Sequence, residues 1–581
     1  MRVETTGQVF AEMLRGHGIS HVFIVPAVFH SGMAALEDTD VGRVTTHHEI
    51  AAAYMADGYA RAARKPGVCL AQAVGATNMA AGLRDAYLAG APVICLTGGP
   101  EPASRYRYLY QMIEDFTCFG PVTKLNVRVD LPSRFSDLLR LAFRVATSGA
   151  PGPVHLELPG RLGEGVEARG DFEVVVESRF SRYPAYRPAA EPEAVREAAA
   201  ALHSAERPVI VSGGGVAASN AGAELVELAE KLTIPVAVTL TGKDAMLEDH
   251  RLNVGLLGSY GRASANRLLE EADLVFLVGT RAGGLTTGNW RVPRPGSRVI
   301  QLDIEPAEVG RNYAVEVGLV GDVRTVLRQL IDELLPRGEV AARRAPGREA
   351  AEDERSTGAS VRRLEGWAWL QRAHELDDAW RSAQSGHAES DAVPLRPERL
   401  CREITDALPE RAVVVVDTGH AAIWAGTLIG LKRPGQRFIR CAGTLGWAFP
   451  ASLGIKCALP DRPVVCFTGD GGVCYHLAEL ETAARAGLNV VVVVNNNGSL
   501  QQVKRGIDAA YGGTQRGRAR EMWVFDAQTN YAQVAEAMGC LGIRVERPAD
   551  LRPALERALG AERPALLDVI TDIDAFPADP W

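Results

Sequence analysis

The sequence has no CxxC pair among its nine scattered cysteines, no block of basic residues, and no apolar run near the ~18–20 residues that a membrane-spanning helix needs. Each absence removes a class. Unpaired, irregularly spaced cysteines argue against a disulfide framework or a zinc site and fit a reducing compartment. A net charge of −8 gives no basic field, so neither nucleic acid nor an anionic membrane is an expected partner. The first residues, MRVETTGQVFAEMLRGHG, have helical spacing and charges and no apolar signal core, so a cytoplasmic location is expected. There is also no low-complexity tract and no short repeat.

What remains is an ordinary globular composition, 47% hydrophobic and 23% charged over 581 residues, long enough for about three or four domains. Short apolar runs that exit through Gly, Pro or Ala alternate with helical stretches. HVFIVPA, GVCLAQAVG and APVICLTGG read as buried parallel strands, and HHEIAAAYMADGYARAA as a helix between two of them. The rhythm returns in RPVIVSGGG, IPVAVTL, ADLVFLVGT and RVIQLDI, and again from PERLCREITDALPERAVVVVDTGH onward. The expected fold is therefore α/β, with three consecutive doubly wound parallel-sheet domains. Their expected extents are 1–182, 190–338 and 393–562. A charged, Ala-rich linker with an amphipathic helix near Leu364–Trp380 fills 339–392, and 563–581 is a Pro-containing tail.

The third segment carries the most specific pattern. FTGDGGVCYH ends an apolar run, and Asn497 ends the next one, 27 positions after Asp470. Ligands of open α/β sheets sit outside the carboxyl ends of strands. Gly469, Gly471 and Gly472 let backbone approach a ligand closely, and a helix that follows, LAELETAARAG, favours an anion at its start. A carboxylate, an amide oxygen and a backbone carbonyl are hard ligands for Mg²⁺. One carboxylate leaves charge for a diphosphate to neutralise. Strand–helix–strand geometry then explains the spacing.

GDG followed by an Asn at this distance resembles the diphosphate motif of thiamine diphosphate (ThDP) enzymes. GDGGVCYHLAELETAARAGLNVVVVVNNNGSL is similar to the acetolactate synthase (large catalytic subunit) branch. The resemblance implies that Asp470, Asn497 and the backbone of Ser499 hold Mg²⁺. CAGTLGWAFPASLG resembles the segment that carries the aminopyrimidine ring, with Gly443 and Leu445 on the cofactor. VVDTGHAAIW resembles the diphosphate loop, with Gly419 and His420 at the phosphates and Ala421 where the family has a second polar residue. TTHHEIAAAYMADGYARAARKPGV resembles the segment with the cofactor-activating glutamate, which falls on Glu49. Gly75 and Asn78 follow at the mouth of the site, and Gln111 faces the substrate end. In this family the glutamate of one chain serves a cofactor held by another. The resemblance thus implies a homodimer or homotetramer with the active site between chains, acting on a small-molecule substrate.

The departures gather at the substrate. Gly506 stands where acetolactate synthases have a tryptophan, and Gln502 where they have a methionine. Ala27 and Val28 replace a glycine pair, Val74 replaces a proline, and His30 arrives near the pocket as a candidate acid or base. The expected activity is a C–C bond lyase or carboligase, decarboxylating a 2-oxo acid or cleaving an acyloin, with a rebuilt pocket. The alternatives are a 2-hydroxyacyl-CoA lyase or oxalyl-CoA decarboxylase type of enzyme, and a catalytically silent ThDP-binding paralogue. GLLGSYGRASAN keeps a glycine spacing seen where some members bind FAD, but GTRAGGLTTGNW lacks the acidic pair that accompanies it, which leaves FAD a weaker expectation than ThDP and Mg²⁺.

Overall fold

The computed structural model of the chain describes residues 1–334, 357–525 and 529–581, with side chains of 357–366 left aside. The amino-terminal strands are β1 (Arg2–Thr5), β2 (His21–Ile24), β3 (Gly42–Thr45), β4 (Gly67–Ala71), β5 (Val93–Gly99), β6 (Leu125–Arg128), β7 (Val154–Pro159) and β8 (Arg169–Glu173). The central ones are β9 (Pro208–Ser212), β10 (Val236–Val238), β11 (Asn253–Leu256), β12 (Leu274–Val278), β13 (Arg298–Asp303) and β14 (Val317–Val320). The last group is β15 (Val413–Val416), β16 (Arg437–Arg440), β17 (Val464–Gly469), β18 (Val491–Asn496), β19 (Leu541–Val545) and β20 (Ala565–Ile570).

These strands make three six-stranded parallel sheets, in the orders β3-β2-β4-β5-β7-β6, β11-β10-β9-β12-β13-β14 and β16-β15-β17-β18-β20-β19. The expected architecture of three parallel-sheet α/β domains is what the chain adopts. Strands such as VVVV in β15 and LVFLV in β12 are buried throughout because helices cover both sheet faces.

The start of the chain differs from expectation. Residues Arg2–Thr5 form a strand, antiparallel to β8, instead of the first turn of a helix. Thr5 explains the boundary: its hydroxyl accepts from Gln8 N at 3.1 Å while Gln8 Oε1 accepts from Thr5 N at 3.1 Å. This reciprocal cap fixes the helix start at Thr6 and frees the preceding residues to pair. The expected helix near Leu364–Trp380 lies within a longer one, Thr357–Ala388. Most of the linker expected before it lies outside the described residues.

Two compact units emerge from the packing. One comprises 1–186, 390–425 and 435–575, and the other 187–389, 426–434 and 576–581. Within the first unit, the helices Glu49–Ala63 and Ala448–Ala458 touch backbone to backbone. A Cβ on Gly58 would stand 2.3 Å from Ala451 O, and one on Gly454 only 1.9 Å from Met55 O. Only glycine permits that approach, and the surrounding core of Met55, Tyr59, Trp447 and Ile455 is buried. Gly454→Ala is therefore expected to lower unfolding free energy by about 3 kcal/mol, an overpacking cost that backbone cannot relax. A urea titration measures it, and a loss below about 1 kcal/mol, the centre of ordinary substitutions, would contradict the contact.

Within the second unit, the helix Thr357–Ala388 is anchored by Trp369, whose Nε1 donates to Pro208 O at 2.9 Å. Asp377, on the same helix, pairs with buried Arg262 at 3.2 Å. Arg262 also pairs with Glu248 and lies 4.6 Å over the ring of Trp380.

Candidate active site

β17 and β18 are neighbours, with Gly469 opposite Asn495, so the residues that leave them emerge side by side at the carboxyl edge of the third sheet. Asp470 opens a one-turn helix, Asp470–Cys474, directly after β17. The longer helix read from the sequence begins only at Glu479. Asp470 is 2% exposed. Its Oδ1 accepts from Gly471 N at 2.7 Å and its Oδ2 from Ser499 N at 2.9 Å. Burial pushes its carboxyl up to about 6 in spite of these bonds. Ser499 Oγ donates to Asn497 Oδ1 at 2.9 Å, and Asn497 Nδ2 donates to Gln501 Oε1 at 3.2 Å.

Gln501 is a hub that the sequence reading did not single out. It is 3% exposed. Its Oε1 lies 3.0 Å from His420 Nδ1, and its amide nitrogen donates to the carbonyls of Ile573 and Ala575. One side chain thereby ties the Asn497 loop, the His420 loop and residues 573–575 together. Burial also lowers the His420 imidazole below its ordinary range. Gly419 stands in the left-handed region at φ 73°, where a Cβ would lie 3.1 Å from Gln502 Oε1.

The segment 442–446 is held from two sides by acids that the sequence reading also passed over. Asp417, at the exit of β15, is 1% exposed and accepts from Gly446 N at 3.0 Å, Thr418 N at 2.8 Å and Thr468 Oγ1 at 3.1 Å. Burial pushes it up to about 6 as well. Asp85 accepts from Ala442 N at 2.8 Å and Thr444 N at 3.2 Å. Behind it, Arg61 reaches Asp85 and Asp57, and Trp447 Nε1 donates to Asp57 at 2.8 Å. Between these grips Gly443 is exposed and Leu445 half-buried. A clue to Asp417 was available: an acid ending an all-valine strand has no packing reason to be there.

Glu49 is the first residue of the helix Glu49–Ala63, capped by His48, whose Nδ1 accepts from Ile50 N at 3.1 Å. Asn78 Nδ2 donates to Glu49 Oε2 at 3.1 Å. A Cβ on Gly75 would stand 2.4 Å from Glu49 Oε1, so the turn Ala73–Gly75 admits the carboxylate only because residue 75 is glycine. Gln111 sits at φ 64° and accepts from Arg161 Nη1 at 2.8 Å. His30 is exposed at the start of the helix His30–Ala35, and among the described residues its ring has no hydrogen bond or ion pair. The structure thus groups Glu49, Gly75 and Asn78. It separately groups Asp470, Asn497 and Ser499 with Gly419 and His420. It leaves His30 outside both groups.

Three family models match the chain: the N-terminal TPP binding domain of thiamine pyrophosphate enzymes over 4–117, their central domain over 195–330, and their C-terminal TPP binding domain over 417–569. The chain is 32% identical to a probable acetolactate synthase large subunit of Methanocaldococcus jannaschii, over 94% of this chain and 88% of that one. The chain belongs to the thiamine pyrophosphate enzyme family. It is also 32% identical to the acetolactate synthase of Arthrospira platensis, covering 97% of this chain and 94% of the relative. To the isozyme 1 large subunit of Escherichia coli acetolactate synthase it is 30% identical, over 98% and 94%.

Membership makes the chain a ThDP-dependent enzyme of acetolactate synthase type. Each matched segment falls on one of the three parallel sheets, with β6, β7 and β15 lying outside them. Among the described residues no helix is long and apolar enough to cross a membrane.

Proposed function

We propose that the chain is a ThDP- and Mg²⁺-dependent C–C lyase or carboligase that acts on a 2-oxo acid or acyloin, with a substrate pocket rebuilt relative to acetolactate synthases. The observation that carries this reading is the Asp470–Asn497–Ser499 cluster at the β17–β18 edge. Among the described residues no three His, Cys, Asp or Glu side chains converge on a metal position. The cluster instead offers one buried carboxylate, one amide oxygen and backbone. That set suits a hard cation whose remaining charge is met by a diphosphate.

Asp470, Asn497 and the Ser499 backbone then hold the metal, and Gly419 and His420 face the phosphates together with the backbone of Gly471 and Gly472. Gly443 and Leu445 meet the aminopyrimidine, and Glu49 exchanges a proton with it. Bound ThDP supplies an electron sink for the carbanion formed when a 2-oxo acid loses its carboxyl group. Domains at 1–182, 190–338 and 393–562 and a homodimeric site in which one chain's Glu49 serves its partner complete the proposal.

No flavin is proposed. The Gly258 and Gly261 positions are engaged by their own domain: Gly258 N donates to Asn266 Oδ1 at 2.7 Å, and a Cβ there would stand 2.2 Å from Leu285 O. Asn266 also holds Pro580 O at 2.6 Å, while Trp581 packs on Gly288 beneath Arg291, 4.1 Å from the ring centroid. Packing accounts for these glycines without a dinucleotide.

The rebuilt pocket rests on Gly506, which is exposed with open space around its Cβ position, on Gln502 beside Gly419, and on Val74, half exposed at the turn before Gly75. Pyruvate is too small to fill the volume of a missing indole. Self-condensation of pyruvate is expected to be weak, with a bulkier or more polar partner preferred. A kcat/KM for pyruvate near ~10⁴ M⁻¹s⁻¹ or above, the low end for a dedicated enzyme, would refute the rebuilt pocket.

A further inference from the structure

Arg161 follows Pro159 and Gly160 at the exit of β7. Its carbonyl accepts from Ala73 N at 2.9 Å, which fastens it to the turn that admits the Glu49 carboxylate. Its guanidinium donates to Gln111 Oε1 at 2.8 Å and lies 5.8 Å from the ring centroid of Tyr110. Among the described residues no carboxylate pairs with it. The neighbouring cations are different: Arg105 pairs with Glu114, and Arg128 with Glu114 and Glu157. Among the described residues, the one polar side-chain partner of Arg161, a half-buried cation, is a neutral amide. That amide belongs to a non-glycine residue held in the left-handed region at φ 64°, a cost that persists where surroundings over-determine it and that gathers at ligand sites.

A guanidinium fork with no counter-ion among the described residues matches a carboxylate in two parallel hydrogen bonds. Bound diphosphate is not the anion proposed, because Arg161 is fastened to the turn beside Glu49, the proposed proton-transfer end, whereas the proposed phosphate ligands are Gly419 and His420. The carboxyl group expelled as CO₂ does not suit it either. That group loses its charge on the way to the transition state, so a tight ion pair would hold the ground state and slow the step. We propose that Arg161, oriented by Gln111, anchors the carboxylate that an acceptor 2-oxo acid keeps through the reaction. This rests on the lyase or carboligase reading above.

The test uses the holoenzyme with ThDP and Mg²⁺ and whichever 2-oxo acid donor the wild type turns over best. Two acceptors are compared, 2-oxobutyrate and propanal, which differ only in the carboxylate. R161Q is expected to lower kcat/KM for 2-oxobutyrate about 100-fold, mostly through KM, and for propanal less than about threefold, as befits loss of a charged hydrogen-bonded pair. R161K should recover part of the loss, and Q111L should shift the same ratio less. ThDP affinity by calorimetry separates these effects from misfolding. A 2-oxobutyrate-to-propanal ratio unchanged in R161Q, or a wild type that prefers propanal, overturns the anchor while the proposed function stands. A wild type inert toward every 2-oxo acid donor overturns the proposed function instead.

Discussion

Replacing Asp470 with alanine is expected to abolish retention of ThDP and Mg²⁺, lowering apparent affinity about 10³-fold, the scale on which a buried charge loses its partner. The proposed metal has one carboxylate ligand, and its proposed amide ligand, Asn497, is already engaged by Ser499 and Gln501. The amides of Gly471 and Ser499 lose their acceptor as well, which loosens the loop that carries Asn497. The cofactor-free protein gives an independent reading. Burial raises the Asp470 carboxyl to about 6, above its ordinary value. Such a group favours the fold fully at low pH and loses that contribution as pH rises through about 6, because the folded state binds the proton more tightly. The alanine variant lacks that titration, so its stability should fall less steeply between pH 4 and 7 than that of the wild type. Calorimetry that returned wild-type ThDP affinity for Asp470→Ala would dissolve the metal assignment.

Asp470 and Asn497 were legible because both are set by strand exits, and a strand exit leaves a local mark: an apolar run, then glycine, then a polar residue. The three sheets were legible for the same reason. Asp417, Gln501 and Asp85 were not. Asp417 acts across 29 positions on Gly446, Gln501 across 81 on His420, and Asp85 across 357 on Ala442. Nothing in the residues around Asp85 distinguishes it from a solvated helix acid; its role exists only because the helix Ala76–Ala89 brings it to the backbone amides of Ala442 and Thr444. The one-turn helix at Asp470 was hidden by its length, since five residues show no period. The first strand was hidden because pairing with β8 is decided about 170 residues away, whereas helical spacing of Val9, Phe10, Met13 and Leu14 was plain to read.

Glu49→Gln is expected to leave ThDP affinity near the wild-type value and to slow hydrogen exchange at the cofactor's thiazolium carbon by about 10² to 10⁴-fold, the range lost when a positioned acid–base group is removed. The two halves of this expectation come from different places in the fold. In the proposed site affinity resides in the Asp470, Asn497 and His420 group, which makes no use of Glu49. Proton transfer needs a carboxylate at one point, and the structure shows how one is kept there: Asn78 donates to Oε2, and Gly75 leaves space beside Oε1 that any side chain would take. Glutamine fits the same space and its amide oxygen still accepts from Asn78, so shape and packing survive while the ability to carry the proton does not. A loss of exchange therefore reports chemistry and not collapse of the turn. The exchange rate is read by NMR on the variant loaded with ThDP and Mg²⁺. A rate equal to wild type would remove Glu49 from the reaction and leave its position explained by the start of its helix, where a carboxylate is stabilised by the backbone dipoles alone.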